Sequence, residues 1–284
     1  MKYLITGANG FLAKELKDYW STTDIELTAI TRQQVDLTDP EAVKNYFADN
    51  KFDVVVHTAV RGGRRGDPNS INQLFDNLKM FDNLLAAQGS YKFLFNFGSG
   101  AEFDRRFPIE KAPEDKIIES LPADFYGLSK NLITRKILDI DSNIYNLRLF
   151  GCFGAHEENQ RLFKNSFNRL KSGLNPTVNQ NKKMDYFFAQ DVGKVIDHII
   201  SMSENSLKII NKDINLCYDN EYTLVEMLKL ITSVGQQGKV EILRDGMSFP
   251  YTGSPNRLKS LNVKLTGLEE GLKICLKKWS KYYS

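Results

Sequence analysis

The chain has 284 residues, of which 42% are hydrophobic and 26% charged, and a formal net charge of +3. This composition favours a globular core over bulk disorder, and the mild charge argues against nucleic acid or a membrane surface as the main partner. No stretch approaches the roughly 18 apolar residues of a membrane span, and the first apolar run is too short for a signal peptide. We therefore expect a cytoplasmic protein. Cys152, Cys217 and Cys275 are far apart, which predicts reduced, buried thiols without a disulfide framework or a metal site.

Strand and helix signals alternate through the first half of the chain. Short apolar runs predict strands at Tyr3–Thr6, Glu26–Ile30, Asp53–His57, Lys92–Phe97 and Asn143–Leu149. Helical spacing or helix-start residues predict helices at Leu12–Trp20, Asp39–Ala48, Asn72–Ala87 and Phe125–Leu138. Strands separated by helices indicate parallel β-α-β units. We therefore predict an α/β fold with a doubly wound, Rossmann-type parallel sheet over residues 1–150, completed in part by later segments.

The alternation loosens after about residue 151. Helical patterns continue at Leu162–Lys171, Val192–Met202, Leu224–Val234 and Leu268–Tyr283. Thr223 and Glu226 have the spacing of a capping box at the start of the third of these. This mixture predicts a smaller lobe over residues 151–284 that closes over a ligand at the sheet edge.

A glycine turn follows the first predicted strand and opens the first predicted helix. It reads Thr-Gly-Ala-Asn-Gly-Phe-Leu-Ala over residues 6–13. Gly7 permits a tight turn, Gly10 lets the backbone approach a pyrophosphate, and Ala13 fills the small position where helix meets sheet. The turn predicts dinucleotide binding, with the residues nearest the phosphates being Gly7, Asn9, Gly10, Phe11 and Leu12.

A Tyr-x-x-x-Lys pair lies on the predicted helix at Phe125–Leu138. Tyr126 and Lys130 are one helical turn apart, so both side chains lie on one face. A tyrosine with an ordinary pKa of about 10 is a poor proton donor and acceptor near neutrality. A nearby ammonium favours the phenolate and lowers that pKa, and the lysine can also bind the nicotinamide ribose. We therefore expect both residues to be catalytic and to contact the cofactor.

The spacing Gly-x-x-Gly-x-x-Ala, followed by Tyr-x-x-x-Lys, resembles the extended short-chain dehydrogenases/reductases. This is the NAD-dependent epimerase/dehydratase family, which acts on nucleotide-activated sugars. The likeness is close at the glycine turn and at Tyr126 and Lys130, and looser beyond residue 150. There, segments 147–154, 184–192 and 268–272 are similar to the family's lobe entry, its Arg-Asp-Phe…Asp-Val segment and its closing helix. The resemblance implies a smaller C-terminal substrate-binding lobe.

The resemblance also implies a third catalytic group. Ser99 comes two residues after the predicted fourth strand and four residues before Phe103, as the family's serine or threonine precedes an aromatic residue. In that role Ser99 hydrogen-bonds the substrate oxygen and helps Tyr126 to stabilise negative charge there. Asn77 matches the helical asparagine that supports the family's active site.

Cofactor choice depends on the end of the second strand. An acidic residue there binds the ribose hydroxyls of NAD, whereas an arginine favours the 2′-phosphate of NADP. The strand here is followed by Thr-Arg-Gln-Gln without an acid, so Arg32 is the candidate phosphate ligand. We predict NADP(H) as the cofactor and NAD as the less favoured one. By resemblance, Asp36 and Leu37 lie beside the adenine, and Thr58 and Ala59 line the cofactor.

The residues after Ser99 separate the possible reactions. Dehydratases of this family carry Thr-Asp-Glu where this chain has Ser99, Gly100 and Ala101, so no acid pair is present to remove water. GDP-fucose synthases also resemble this chain, but their epimerising cysteine aligns with Ala101 and their histidine aligns near Arg161. We therefore expect a 4-ketoreductase of a nucleotide-activated 4-keto-6-deoxy sugar. The alternatives are a nucleotide-sugar epimerase, a bifunctional epimerase/reductase and a non-catalytic NADP sensor.

The remaining predictions concern substrate and assembly. The run Arg-Gly-Gly-Arg-Arg-Gly-Asp at 61–67 resembles an RNA-binding Arg-Gly box, but it is single, short and follows a buried strand, so we favour a flexible loop near the cofactor and the sugar diphosphate. The predicted substrate ligands are Arg61, Ser99, Gly100, His156 and Arg161, of which His156 could equally be a polar loop residue. By resemblance we expect a homodimer through a four-helix bundle that includes the Tyr/Lys helix. On that helix, Leu132, Ile133 and Ile137 supply apolar surface beyond the catalytic face.

Overall fold

The structure is a computed structural model and describes residues 1–63, 66–202, 204–235 and 238–281. Its strands are β1 (Lys2–Thr6), β2 (Glu26–Ile30), β3 (Phe52–His57), β4 (Tyr91–Ser99), β5 (Ile109–Ala112), β6 (Ile144–Leu149), β7 (Cys152–Phe153), β8 (Thr177–Asn181), β9 (Phe187–Phe188), β10 (Asp213–Leu216), β11 (Glu241–Met247) and β12 (Tyr251–Gly253). Its helices are α1 (Phe11–Trp20), α2 (Pro40–Asp49), α3 (Ile71–Ala86), α4 (Phe125–Leu138), α5 (Leu162–Lys171), α6 (Ala189–Ser201), α7 (Glu204–Ile209), α8 (Leu224–Gly235), α9 (Asn256–Ser260) and α10 (Leu268–Lys281).

Six parallel strands form the central sheet in the order β10-β6-β4-β3-β1-β2. In the middle of the sheet Val56 pairs with Phe95, and Phe95 pairs with Tyr145. The order reverses after β1, so the crevice between β1 and β3 is the switch point at which such sheets bind ligands. The predicted doubly wound, Rossmann-type α/β fold is confirmed.

Helices cover both faces of this sheet. One face buries Leu16 and Trp20 of α1 together with Val195 and Ile199 of α6 against the strands. The other face packs α2, α3 and α4, with Phe47, Phe81, Ile133 and Ile137 among the buried side chains. The predicted outward position of Ile133 and Ile137 is wrong, because both are in this core. Of the three residues expected to offer apolar surface, Leu132 is the exposed one, at 36%.

The predicted helix starts agree with the local hydrogen bonds. Asp39 caps α2 by accepting from the backbone amides of Glu41 at 3.0 Å and Ala42 at 3.3 Å. At α8, the Glu226 amide donates to Thr223 Oγ1 at 3.3 Å while the Thr223 amide donates to Glu226 Oε2 at 2.7 Å. This reciprocal pair is the capping box that the spacing predicts.

The second half of the chain forms its own core and also completes the first half. Phe153, Phe163, Phe188 and Trp279 lie in a cluster that joins α5, α8 and α10. Strand β10 is an edge of the central sheet, and β12 pairs with β5. The two halves are thus interleaved where β4 ends, and segments far apart in sequence meet there.

Other predictions from composition concern membranes and thiols. None of the helices in the described parts of the chain is long and apolar enough to cross a membrane. Cys152, Cys217 and Cys275 are buried, free thiols. Within the described ranges, no three His, Cys, Asp or Glu side chains are grouped to hold a metal ion.

Candidate active site

The glycine turn between β1 and α1 forms a tight cradle. Gly7 has a φ of +70°, and a Cβ at that position would lie 2.7 Å from the Ala59 Cα, so a side chain is excluded both by conformation and by space. The Gly10 amide donates to the Gly7 carbonyl at 2.8 Å. Gly10 precedes α1 in an extended conformation without a capping side chain. The first amides of α1 are therefore available to a phosphate, so the predicted residues fit a dinucleotide pyrophosphate.

The segment after β3 packs against this cradle. Thr58 Oγ1 donates to the Thr6 carbonyl at 2.6 Å, and the Ala59 amide donates to Thr6 Oγ1 at 3.3 Å. Thr6 Oγ1 also lies 2.9 Å from His57 Nδ1, and burial of His57, with some effect of Lys130, lowers its pKa to about 3. His57 is therefore a neutral structural group at neutral pH. Thr58 and Ala59 lie against the glycine turn, and their contact with the cofactor stays a prediction.

Arg32 follows β2 and pairs with Asp36. Its Nε and Nη2 lie 3.1 and 3.0 Å from Asp36 Oδ2, while Asp36 Oδ1 accepts from the amide and hydroxyl of Thr38. The Arg32 side chain is 72% exposed, so this ion pair is weakly held. Leu37 is buried beside it, and its carbonyl accepts from Asn83 Nδ2 at 2.8 Å. A guanidinium that can bind a phosphate through two nitrogens is thus present near the predicted position of the adenosine end of the cofactor.

Tyr126 and Lys130 lie on the first turns of α4. Asp124 caps the helix through the Gly127 amide at 2.8 Å. Burial raises the pKa of Tyr126, and the nearby Ser99 hydroxyl opposes that rise. Lys130 is buried, and its Nζ donates to the Phe97 carbonyl of β4 at 2.8 Å. Burial lowers the Lys130 pKa to about 8, against the opposing field of Glu102. The predicted lowering of the Tyr126 pKa by Lys130 stays a prediction, because burial dominates that pKa and the strongest opposing influence comes from Ser99 and not from Lys130.

Ser99 lies at the carboxyl end of β4 and is close to a second tyrosine. Ser99 Oγ accepts from the Ala101 amide at 3.2 Å. The Ser99 hydroxyl lies near enough to Tyr126 and to Tyr251 of β12 to lower the pKa of both phenols, and Arg105 acts on both in the same direction. A Cβ on Gly100 would lie 2.8 Å from the Tyr251 Cζ. Tyr251 and Arg105 are not among the site residues that the sequence predicts. Neither belongs to a motif, and no local pattern links β12 to Ser99.

Asn77 holds the start of the Arg-Gly run. Its Oδ1 accepts from the Arg61 amide at 2.8 Å, and its Nδ2 donates to the Arg61 carbonyl at 3.0 Å and to Ser129 Oγ at 3.0 Å. The Arg61 guanidinium pairs with Asp76. A Cβ on Gly63 would lie 2.7 Å from the Tyr126 Cζ, so this loop passes over the Tyr126 ring. The arginines at 64 and 65 lie outside the described residues.

The contacts of His156 and Arg161, two predicted substrate ligands, lie towards α1. His156 Nε2 is 2.8 Å from Asp18 Oδ2, and its amide donates to Glu15 Oε1 at 2.5 Å. The Arg161 guanidinium lies 4.8 Å over the Phe11 ring and donates to the Cys152 carbonyl at 2.8 Å. Arg161 therefore lies by the glycine turn, on the phosphate side of the site, and the contacts of His156 are with the helix that follows that turn.

A buried ion-pair network holds the backbone of the turn at Ser99. Glu102 Oε1 accepts from the Ser99 amide at 2.7 Å, and Glu102 Oε2 accepts from Thr134 Oγ1 at 3.0 Å and Arg148 Nε at 2.9 Å. Arg148 also bonds Asp213 Oδ2 at 2.6 Å and Asn215 Oδ1 at 2.9 Å. Burial raises the pKa of Glu102, and the Arg148 charge opposes that rise. The network connects Ser99 to β6, β10 and α4.

Comparison with known proteins gives the family. Residues 3–217 match the model of the NAD dependent epimerase/dehydratase family. The chain belongs to this family. Its membership identifies the chain as a nicotinamide-dependent oxidoreductase and confirms the resemblance found in the sequence.

Individual members of the family are distant in sequence. The chain is 22% identical over 256 residues to a GDP-L-colitose synthase of Yersinia pseudotuberculosis, with 82% of each chain covered. It superposes with a TM-score of 0.79 on MlghC, a GDP-mannoheptose C4 reductase from Campylobacter jejuni with NADP bound, at 18% identity over 98% of each chain. It superposes with a TM-score of 0.77 on Bordetella bronchiseptica WbmG in complex with NAD and UDP, at 19% identity, over 99% of this chain and 94% of the other. The two superpositions show the common fold.

Proposed function

We propose that this enzyme reduces the C4 ketone of a nucleotide-activated 4-keto-6-deoxy sugar with NADPH. The observation that carries the proposal is the approach of two hydroxyl side chains, Ser99 and Tyr126, beside a residue without an exchangeable side-chain proton, Ala101. Reduction of a ketone needs hydrogen-bond donors where negative charge develops on oxygen and one acid to deliver a proton. Dehydration, or epimerisation at a carbon next to the ketone, needs a further acid or base beside these groups.

The residues of the site have distinct roles in this reaction. The amides at Gly10 and the start of α1 would hold the pyrophosphate, and bound NADPH supplies the hydride. Ser99 and Tyr126 bind the ketone oxygen, and Tyr126 gives it a proton as charge develops. Lys130 would bind the nicotinamide ribose from its position behind Tyr126. The loop at 61–63 would keep bulk water away from the Tyr126 ring.

The names of the relatives support a guanosine nucleotide. The Yersinia protein is called a GDP-L-colitose synthase and the Campylobacter protein a GDP-mannoheptose C4 reductase. A further Campylobacter structure is a GDP-6-OMe-4-keto-L-xylo-heptose reductase. We therefore propose GDP as the preferred nucleotide of the substrate.

Arg32 supports NADPH as the cofactor. Its guanidinium already binds a carboxylate, and the same fork suits the 2′-phosphate of NADPH. The Asp36 partner is also bound by Thr38, so it would stay in place when the arginine turns to a phosphate.

The proposal is tested by NADPH oxidation. The assay follows absorbance at 340 nm with GDP-, CDP-, dTDP- and UDP-4-keto-6-deoxy sugars, and we expect turnover with the GDP sugar. Tyr126→Phe keeps the ring and removes the acid, so it should lower turnover by roughly 10²–10⁴ with little change in NADPH affinity. NADPH binding without oxidation by any of the four sugars would support the non-catalytic sensor instead. Interconversion of two sugar nucleotides without net NADPH consumption would support an epimerase.

A further inference from the structure

One face of α1 is covered by the segment that follows β7. Phe11, Glu15 and Asp18 are three or four residues apart on α1 and therefore share a face of the helix. Glu15 accepts from the His156 amide, and Asp18 Oδ2 lies 2.8 Å from His156 Nε2. Arg161 lies over Phe11, with its Cζ 4.8 Å from the centre of the ring. The segment between these contacts thus runs along α1 towards the glycine turn.

The segment comes this close to α1 because residue 154 is a glycine. A Cβ on Gly154 would lie 2.4 Å from the Glu15 Cδ, and Glu15 is fully buried at this contact. A side chain at this position would therefore displace either the carboxylate or the segment. Close packing at Gly154 thus fixes the path of the chain that leads to Arg161.

The Arg161 guanidinium is held in one orientation by the protein. Its Nη2 donates to the Cys152 carbonyl at 2.8 Å, and its Nε lies 3.4 Å from Glu157 Oε1. Glu157 Oε2 accepts from the Lys164 amide at 3.0 Å, so the same carboxylate also binds the first turn of α5. The guanidinium is therefore oriented over the Phe11 ring by contacts within the chain.

Donor groups of Arg161 remain open towards the glycine turn. A guanidinium has five N–H donors. Within the described residues no group accepts from Arg161 Nη1, and the side chain is 37% exposed. Phe11 directly follows Gly10, and the first turn of α1 contains no acidic residue. A nicotinamide dinucleotide brings its diphosphate to this end of the helix, and a guanidinium can bind phosphate oxygens through two nitrogens.

The contacts of Arg161 favour the cofactor over the sugar nucleotide as its ligand. They are with the first residue of α1, a carbonyl of β7 and a carboxylate of the preceding segment. In the described part of the chain, Arg161 makes no hydrogen bond, ion pair or ring contact with Ser99 or Tyr126, where the ketone would bind. Its charge therefore acts at the start of α1.

We propose that Arg161 binds the diphosphate of the nicotinamide cofactor, in place of the sugar nucleotide that the sequence predicts as its ligand. The diphosphate would lie between the guanidinium and the amides at the start of α1. Because Arg161 directly precedes α5, the cofactor would then connect the two halves of the chain. The inference rests on the cofactor site of the proposed function and is independent of the sugar that is reduced.

Equilibrium binding without a sugar tests this role. Arg161→Gln removes the charge and should weaken NADPH and NADH by the same factor, roughly 10- to 100-fold, which is the effect of losing charged hydrogen bonds to a phosphate. The preference between the two cofactors should persist, because Arg32 is predicted to set it, and GDP affinity should not change. Arg169→Gln is the matched control, because the Arg169 Nε donates to the Asn175 carbonyl at 2.7 Å at the other end of α5, and it should keep wild-type affinity.

The outcomes of this experiment are distinct. An Arg161→Gln variant with wild-type affinity for NADPH would overturn the proposal, and weakened GDP binding in that variant would assign Arg161 to the substrate nucleotide. A wild type that binds neither NADPH nor NADH would refute the proposed function together with this inference.

Hydrogen exchange of the wild type gives a second measurement. The ligand 2′-phospho-ADP-ribose carries the diphosphate without the nicotinamide, whereas adenosine 2′-phosphate carries neither. At saturation the first should slow amide exchange over residues 155–165 and the second should not, because the diphosphate would fix Arg161 and its segment. Equal protection by the two ligands, or protection by neither, would overturn the proposal even if Arg161→Gln does not fold.

Discussion

Replacing Arg148 by methionine should expose how strongly the network under Ser99 depends on one buried cation. The guanidinium is fully buried, and it bonds Glu102, Asp213 and Asn215 at 2.6–2.9 Å. Methionine leaves two carboxylates buried without a cation between them. Breaking a buried pair by removing one partner costs about 3–5 kcal/mol. For a chain of this size, each kcal/mol lowers Tm by roughly 2–4 °C, so we expect a fall of about 6–20 °C.

The pKa of Glu102 determines how the stability loss of Arg148→Met changes with pH. Burial raises the pKa of Glu102, and Arg148 opposes that rise, so the variant should raise it further. A carboxyl whose pKa is higher in the folded state binds protons on folding, so its stabilising effect is complete below its unfolded pKa and is lost as pH rises through the folded value. The stability deficit of Arg148→Met should therefore be smallest near pH 4 and largest above neutrality.

Urea unfolding at pH 5 and pH 8 is the assay, with Arg148→Met/Glu102→Gln/Asp213→Asn as the matched control. The triple variant keeps the shapes of the acidic side chains without their charges, so it should recover much of the loss and show little dependence on pH. A single variant that loses under about 1 kcal/mol at pH 8, or a triple variant as unstable as the single one, would refute the assignment of the loss to uncompensated buried charge.

Two further predictions concern the cofactor and the assembly. Wild type should bind NADPH more tightly than NADH, and Arg32→Ala should erase most of that preference while Gln33→Ala preserves it, as measured by fluorescence titration; equal affinities in the wild type would contradict the role of Arg32. The chain should sediment as a dimer at micromolar concentration because Ile71, Phe75 and Leu132 leave apolar surface exposed on α3 and α4, and a monomer under those conditions would contradict the predicted helix-bundle interface.

Local signals account for the part of the structure that the sequence predicts well. Gly7 and Gly10 occupy positions that a side chain would distort, so the turn between β1 and α1 is visible in the sequence. Tyr126 and Lys130 share one turn of one helix. Asp39 caps α2 through amides two and three residues away. In each case the physical cause lies within a few residues of the feature.

Contacts between segments far apart in the chain account for most of the structural features that the sequence does not predict. The Lys111 amide bonds Thr252 Oγ1 across 141 residues, and the same pairing of β5 with β12 brings Tyr251 to Ser99. Nothing in the spacing around either strand specifies that partner. The outward prediction for Ile133 and Ile137 failed because α4 packs on α3 as well as on the sheet, so more than one of its faces is buried.

The buried polar network around Arg148 has a recognisable pattern in the sequence of three strands. In β4, β6 and β10, polar residues or glycine replace apolar residues at alternate positions. Asn96 is in register with Asn146 and Asp213, and Gly98 with Arg148 and Asn215. Polar residues at every second position in three strands of a buried sheet indicate a row of polar side chains that hydrogen-bond with one another, because buried polar groups require partners. The strand order was needed to show that these positions are neighbours.

The residues beside Ser99 make a direct prediction about proton exchange at the sugar. Ala101 is fully buried and carries only a methyl group where, by resemblance, epimerising relatives carry a cysteine. The Glu102 oxygens are bonded to Ser99, Thr134 and Arg148. The contacts of His156 are with α1, at Glu15 and Asp18. These described side chains therefore offer no free base beside Ser99, and we expect the proposed reduction to introduce no solvent hydrogen at C3 or C5, the carbons that flank C4.

Reduction in D₂O tests this expectation. The product, returned to H₂O and analysed by mass spectrometry and NMR, should carry no deuterium on carbon. NADPH deuterated at the transferred position should add one mass unit at C4, which confirms that labelling is detected. Substrate kept in D₂O without enzyme gives the background exchange next to the ketone.

Ala101→Cys supplies a thiol at the position where epimerising relatives carry a cysteine, and any gain of label in that variant would show that the position faces the sugar. Enzyme-dependent label at C3 or C5 in the wild type would mean that another side chain exchanges those protons, and the function would then be a combined epimerisation and reduction.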